Sequence, residues 1–258
     1  MKCLILAAGY ATRLYPLTEN FPKPLLKVGE KTILDHLISD LDQTGEIDGY
    51  VVVTNHKFAH IFEDWAARHA QPDRHARPDR HARPDRASIT ILDDGTSTND
   101  TRLDAVCDIQ YAIDQAHLDD DLLVMAGDNL LSFSLAEFVR YFREKQTTCI
   151  MRYWEPDEKR LHKSGIVEVD ANGLILSMEE KPSQPKSNWC CPPFYIYKRS
   201  DVPLVAKGIA AGCGTDAPGS FIAWLCTQTS VHAWQMSGSR YDIGSLESYE
   251  AVKKIFEK

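Results

Sequence analysis

The stretch LAAGYATRLYPLTENFPKPLL, residues 6–26, decides how this chain is read. It grows out of the apolar run CLILAA (residues 3–8), which has the length of a strand and no polar alternation, as expected of a strand buried on both faces. A turn can be closed in four residues, yet this loop continues to residue 31 before a helical pattern starts. Gly9 leaves the strand where backbone amides can approach a ligand, and Arg13 and Lys23 add fixed cations beside them. Amides, an Arg and a Lys together suit a triphosphate, because they give charge-assisted and partly bidentate bonds to several oxygens. Pro22 and Pro24 stiffen the backbone around Lys23, which lowers the entropy lost on clamping a ligand. The loop has no Gly-Lys-Ser/Thr of a Walker loop and no Gly-x-Gly-x-x-Gly fingerprint.

Outward from the loop, residues 32–45 predict a helix with Ile33, Leu34, Leu37, Ile38 and Leu41 on its apolar side, ending at Gly45. Buried strands are expected at 50–55, 89–94 and 121–129. A helix is expected over 101–116, with Leu103, Val106, Ile109, Gln110 and Ile113 on one side, and a capped helix over 134–145. This alternation predicts an α/β fold with a parallel, doubly wound sheet. Ligands then bind at the carboxyl ends of the strands, where residues 9–24 and 127–129 fall. The second half is richer in strands: a hairpin around Asn172-Gly173 within 165–181, strands at 194–198 and 231–238, and a closing amphipathic helix from 245. No Gly/Ser linker divides the chain, so one domain is expected over 1–258.

The 258 residues are 43% hydrophobic and 26% charged, enough for a substantial core. The net charge of −8 argues against nucleic acid or an anionic membrane as partner, so a phosphate site must gather its own cations. Seven cysteines form no Cys-x-x-Cys pair and no zinc spacing. The start MKCLILAAG is too short for a signal peptide's apolar region, and no run reaches the ~18 apolar residues of a membrane span. A reduced, soluble, cytoplasmic protein is expected. Residues 68–85 repeat Arg-His-Ala-(Gln/Arg)-Pro-Asp three times. The regular prolines forbid a long helix and nothing in the repeat builds a core, so we read a duplicated surface loop over 68–86 rather than a metal- or phosphate-binding arm.

Three later motifs carry chemistry. AGDN (126–129) ends a buried strand with Asp128, which is costly there unless paired, capping or bound to a cation. Magnesium is the natural cation, because Mg²⁺ takes one or two carboxylates plus phosphate oxygens. RYDIGSLESYEAV (240–252) supplies a second carboxylate, Asp242, ahead of a helix. EEKPSQPKS (179–187) sets Glu180 and Lys181 at a strand end, where Glu suits a polyol's hydroxyls and Lys its phosphate.

The order L-A-A-G-x-x-T-R-L-x-P-L-T…P-K-P, G-D-N, G-[IV]-V-E-V-D, E-K-P and D-I-G-x…E-S-Y resembles the nucleotidylyltransferases that activate sugar 1-phosphates, of the glucose-1-phosphate thymidylyltransferase type. The resemblance runs from residue 3 to about 252. It implies a Rossmann-like, mixed, mostly parallel sheet with helices on both faces and a β-rich acceptor-binding lobe. Residues 1–147 would mainly bind nucleotide and 148–258 mainly the acceptor. The implied reaction joins an NTP to a sugar phosphate or similar small phosphorylated metabolite and releases pyrophosphate.

By position, Arg13, Lys23, Asp128 and Lys181 would be the catalytic set. Leu6, Ala8, Gly9, Tyr10, Ala11, Thr12 and Gly127 would line the nucleotide site with Arg13 and Lys23, and Arg102 and Asp104 would shape the base pocket. Asn129, Gly165, Glu180, Lys181 and Tyr195 would line the acceptor pocket, with Mg²⁺ on Asp128 and Asp242. Close relatives are often oligomers, so a homo-oligomer is an expectation, although no interface signature stands out.

Three departures from the family pattern matter. Ala11 stands where the family has a second Gly, NDTRLDAVCDIQ replaces the Gly-rich recognition stretch, and WCCPPFYIYK replaces the usual acceptor strand. They leave open the base and the acceptor, including a cytidylyltransferase acting on a non-sugar phosphate or phosphonate, or a regulatory nucleotide-binding paralogue. A glycosyltransferase is disfavoured, because the metal strand ends in Gly-Asp-Asn rather than Asp-x-Asp.

Overall fold

Cys3, Leu4 and Ile5 are fully buried, and they alternate between two cores. Cys3 and Ile5 pack with Leu37, Leu41 and Phe62 on one face of the sheet, and Leu4 packs with Val106 and Ile109 on the other. A strand covered on both sides has no solvent face for polar residues, which is why its sequence does not alternate. The structure is a computed structural model that describes residues 1–69 and 87–256. Apart from Arg68 and His69, the hexapeptide repeat lies outside the described residues.

The main sheet runs, from edge to edge, Ile175–Glu180, Gly165–Val169, Trp189–Cys191, Thr148–Trp154, Phe194–Tyr197, Leu122–Ala126, Lys2–Leu6, Gly49–Thr54 and Ser88–Asp93. Val231–Gln235 pairs parallel with Thr148–Trp154 and makes ten strands. The strands from Leu122–Ala126 to Ser88–Asp93 are mutually parallel, and the pairings around Phe194–Tyr197 and in the hairpin are antiparallel. The sheet is therefore mixed: parallel across the main-sheet strands of the first ~145 residues, as their alternation predicts, and largely antiparallel beyond them, as the family resemblance implies. A small sheet joins Asn129–Leu131 to Arg240–Asp242 with Asp242 opposite Asn129. That register brings two distant motifs together at one end of the main sheet.

The predicted helix after the opening loop spans Ile33–Thr44. Thr32 caps it: its hydroxyl accepts the Asp35 N–H (3.0 Å) while the Asp35 carboxylate accepts the Thr32 N–H (3.0 Å), a reciprocal box. Gly45, at φ 73°, ends it. The helix predicted over 101–116 is corrected. It spans Ala105–Gln115; Val106 and Ile109 are buried as expected, Asp108 and Ala112 are buried with them, and Gln110 and Ile113 are only partly covered. The strand predicted to reach Asn129 stops at Ala126. There the Gly127 N–H turns back onto the Leu6 carbonyl (3.0 Å), and a Cβ at Gly127 would meet Ile5 and Pro24 at 3.1 and 3.3 Å. Asn129 begins a separate strand. The helices Ala59–His69, Leu204–Ala210 and Pro218–Leu225 and the strands Thr148–Trp154 and Trp189–Cys191 were not anticipated.

Candidate active site

A cleft of about 1260 Å³ opens where the central strands end. Leu6, Arg13, Ala105, Asp128, Asn129 and Arg240 line it from one side, and Gly165, Glu180, Tyr195 and Gly219 from the other. Its position at the carboxyl ends of parallel strands is where an α/β sheet binds ligands.

The opening loop is held by its backbone. Asn55 Nδ2 donates to the Ala8 carbonyl (2.8 Å), Tyr10 Oη to the Thr96 carbonyl (3.1 Å) and Thr18 Oγ1 to the Ala11 carbonyl (2.8 Å). The left-handed residue after the strand is Ala11 and not Gly9, at φ 47°, ψ 41°, and Thr12 begins a short 3₁₀ turn. Gly9 is exposed, with open space where a side chain would stand. The replaced family glycine therefore sits at a position of this loop whose backbone is left-handed, a conformation that costs a β-carbon-bearing residue about 1–2 kcal/mol.

Lys23 is buried in a 3₁₀ turn stiffened by Pro24. Its ammonium donates to Asp128 Oδ2 at 2.7 Å, the kind of pairing a buried lysine needs. The Asn129 side chain donates to Asp128 Oδ1 (2.7 Å) and accepts from Arg240 Nη1 (2.6 Å), and the Arg240 guanidinium lies 5.5 Å from the Tyr153 ring centroid. Lys23, Asp128, Asn129 and Arg240 thus form one chain of hydrogen bonds. Asp242 stands one register position from Asp128 and lines the same cleft. A Cβ on Gly244 would lie 3.6 Å from Asp242 Oδ2 and 4.0 Å from Arg13 Nη1, so Arg13 and Asp242 face one point.

On the other side, the Glu180 carboxylate lies between two glycines. A Cβ at Gly165 would stand 2.8 Å from Glu180 Oε2, and one at Gly219 would collide with the same oxygen. Burial pushes the Glu180 carboxyl up from its ordinary range, against the pull of Lys181. Tyr195 is buried in the cleft wall, and burial likewise raises its phenol. Lys181 follows at φ 47°, and its ammonium donates to Asp216 Oδ2 at 2.8 Å. Arg102 Nη2 donates to Asp216 Oδ1 at 3.0 Å. Hydrogen bonding from Lys181 holds the Asp216 carboxyl below its ordinary range.

The structure therefore brings Arg13, Lys23, Asp128, Asn129 and Asp242 to one end of the cleft and Gly165, Glu180 and Tyr195 to the other. Arg102 and Asp104 do not stand free around a base: Arg102 is tied to Asp216, and the Asp104 carboxylate accepts from Thr215 Oγ1. Sequence reasoning passed over Arg240, Asp216, Gly219 and the cleft-lining Lys163. Arg240 stood inside the quoted RYDIG motif. Asp216 and Gly219 carry no motif of their own and are visible only through the contacts they make with Lys181 and Glu180.

Comparison with known proteins gives a consistent picture. The chain is 26% identical over 261 residues to the bifunctional protein GlmU of Methanocaldococcus jannaschii, covering 100% of this chain and 55% of that protein. It is 28% identical over 198 residues to the UTP--glucose-1-phosphate uridylyltransferase AglF of Haloferax volcanii, covering 76% and 72%. The glucose-1-phosphate thymidylyltransferase of Mycobacterium tuberculosis is 28% identical over 222 residues, covering 81% and 65%. The chain thus spans between about half and three-quarters of the length of these relatives.

In fold, it is similar to a UDP-glucose pyrophosphorylase complexed with UDP-glucose, with a TM-score of 0.81 at 18% identity over 99% of this chain and 97% of that one. A UTP-bound UGPase from Acinetobacter baumannii gives a TM-score of 0.77 at 20% identity, over 99% and 93%. The family model described as nucleotidyl transferase matches residues 2–258, and the chain belongs to that family.

Proposed function

We propose that the protein is a nucleotidylyltransferase that joins an NTP to a sugar 1-phosphate, giving a nucleotide sugar and pyrophosphate. The observation that carries this reading is the convergence of Arg13, Lys23, Asp128 and Asp242 at one end of a cleft whose other end is built around Glu180. A phosphate oxygen of the acceptor attacks the NTP's α-phosphorus. The bond from that phosphorus to the oxygen bridging to the β-phosphate breaks, and pyrophosphate leaves with the electron pair. The acceptor phosphate is already an anion, so no general base is required. What remains is alignment and charge neutralisation.

Arg13 and Lys23 would hold the triphosphate. In the structure Lys23 is paired with Asp128, so binding would redistribute its three donors between that carboxylate and phosphate oxygens. Asp128 and Asp242 would hold Mg²⁺, which when bound supplies charge neutralisation across the phosphates. One carboxylate in the turn just ahead of Asn129–Leu131 and one at the end of the strand paired with it suit an ion that completes its shell with water and phosphate oxygens. Glu180, fixed between Gly165 and Gly219, would accept hydrogen bonds from the sugar's hydroxyls, and Lys181 would meet the acceptor's phosphate. Residues 1–147 would then serve mainly the donor and 148–258 mainly the acceptor. The seven unpaired cysteines support a reducing, cytoplasmic setting.

The test is pyrophosphate release with Mg²⁺ across the common NTPs and an array of sugar 1-phosphates. At least one NTP–sugar pair should release pyrophosphate only when both are present. Release without an acceptor, or none from any pair while nucleotide still binds, would overturn the reading.

A further inference from the structure

The turn between the helices Leu204–Ala210 and Pro218–Leu225 touches both ends of the cleft. The Thr215 carbonyl accepts the Val106 N–H (3.0 Å), and its hydroxyl donates to Asp104, so Thr215 is fastened to the donor-side segment. The next residue, Asp216, takes Arg102 of that segment on one oxygen (3.0 Å) and Lys181 of the acceptor side on the other (2.8 Å). Ala217, which follows, lines the cleft.

We propose that Asp216 is a positioning residue: it holds the Lys181 ammonium ready for the acceptor's phosphate, while Arg102 cancels the negative charge that Asp216 would otherwise set against that phosphate. This rests on the reading of Lys181 given above. Lys181's backbone is already placed, at φ 47° with its N–H on the Ser164 carbonyl (3.1 Å), but a lysine stem keeps several free torsions. Asp216 removes that freedom. An ammonium has three donors, so one bond to Asp216 leaves two for phosphate oxygens. The charges matter as much. A Lys–Asp pair alone is neutral and attracts a phosphate weakly, whereas Arg102, Asp216 and Lys181 together carry one net positive charge. Arg102, expected to shape the base pocket from its place in the stretch that departs from the family pattern, thereby serves the acceptor. Asp216's side chain is 61% exposed, and exposed pairs add little to stability. Its loss should therefore appear in acceptor binding and not in melting temperature.

The experiment compares wild type with Asp216→Ala, Asp216→Asn, Lys181→Met and the Asp216→Ala/Lys181→Met double variant. Asp216→Ala should raise the acceptor KM about fivefold, the upper end for such an exposed pair, and leave the NTP KM and the melting temperature nearly unchanged. Asp216→Asn, which keeps an accepting oxygen, should lie between. The double variant should be no worse than Lys181→Met alone, because Asp216 acts only through that lysine.

Labelling of Lys181 by an amine-reactive acyl ester, read by mass spectrometry, needs no turnover and should run several-fold faster in Asp216→Ala. An unchanged acceptor KM, additive losses in the double variant, or unchanged labelling would overturn the proposal. If wild type releases no pyrophosphate from any pair, the transferase reading fails, and labelling alone still decides whether Asp216 holds Lys181.

Discussion

Replacing Asp108 by Asn should make the protein more stable, and increasingly so as pH rises. Asp108 lies on the buried side of the helix Ala105–Gln115, 5% exposed, and its Oδ1 has no hydrogen-bond partner among the described residues. Burial, then the charges of Asp94 and Asp104, push its carboxyl from an ordinary 3.8 up to about 8. The sign follows from proton binding. Between those two values the folded protein holds a proton that the unfolded chain has released, so stability is greatest below about 4 and falls as pH rises toward 8. At 1.36 kcal/mol per unit the full span is on the order of 5 kcal/mol, and a few kcal/mol is the expectation once the site relaxes around the charge.

Asn cannot ionise, and its amide can donate to the neighbouring carboxylates. Asp108→Asn should therefore match wild type within about 1 kcal/mol at pH 4.5 and exceed it by a few kcal/mol at pH 8, on the order of 5–10 °C in melting temperature for a chain of this size. Denaturant and thermal unfolding at the two pH values measure this. A residual slope is expected from Asp94, whose carboxyl is also raised, chiefly by burial. A variant with the same pH dependence as wild type, or one equally destabilised at both pH values, would refute the reasoning.

Ala11→Gly removes a β-carbon from a left-handed residue and should raise stability by about 0.5–1 kcal/mol, checked by urea unfolding, with the NTP KM unchanged or lower. Gly219→Ala drives a methyl into the Glu180 carboxylate and should raise the acceptor KM about tenfold or more with a smaller effect on the NTP KM, measured by steady-state kinetics. Asp128→Asn should abolish Mg²⁺-dependent turnover with the fold intact by circular dichroism. It would also leave the buried Lys23 without its anion, so its melting temperature should fall by a few degrees.

What could be read in the sequence was what local physics dictates. CLILAA announced a strand with two covered faces, and the spacing of Ile33, Leu34, Leu37, Ile38 and Leu41 before Gly45 announced a helix. Arg13, Asp128, Glu180 and Asp242, drawn from four of the ordered motifs, line one cleft, Asp242 reaching it because the small sheet sets it opposite Asn129. The misreadings have physical causes too. Asp108 on the buried side broke the apolar pattern that sets a helix's facing, so the polar Gln110 was taken in its place. Ala11 accepts a glycine's conformation, which no pattern of side chains reveals. Asp216 is far from both its partners along the chain, and only the folded turn shows that Arg102 belongs with Lys181.

The most direct test of the central claim follows phosphorus. The protein is incubated with Mg²⁺, a sugar 1-phosphate and an NTP labelled at either the α or the γ position. The account predicts that the α-label enters the nucleotide sugar while the γ-label leaves in pyrophosphate, and that a chelator stops both. A γ-label on the sugar, or an α-label that remains in a free nucleotide, would contradict it.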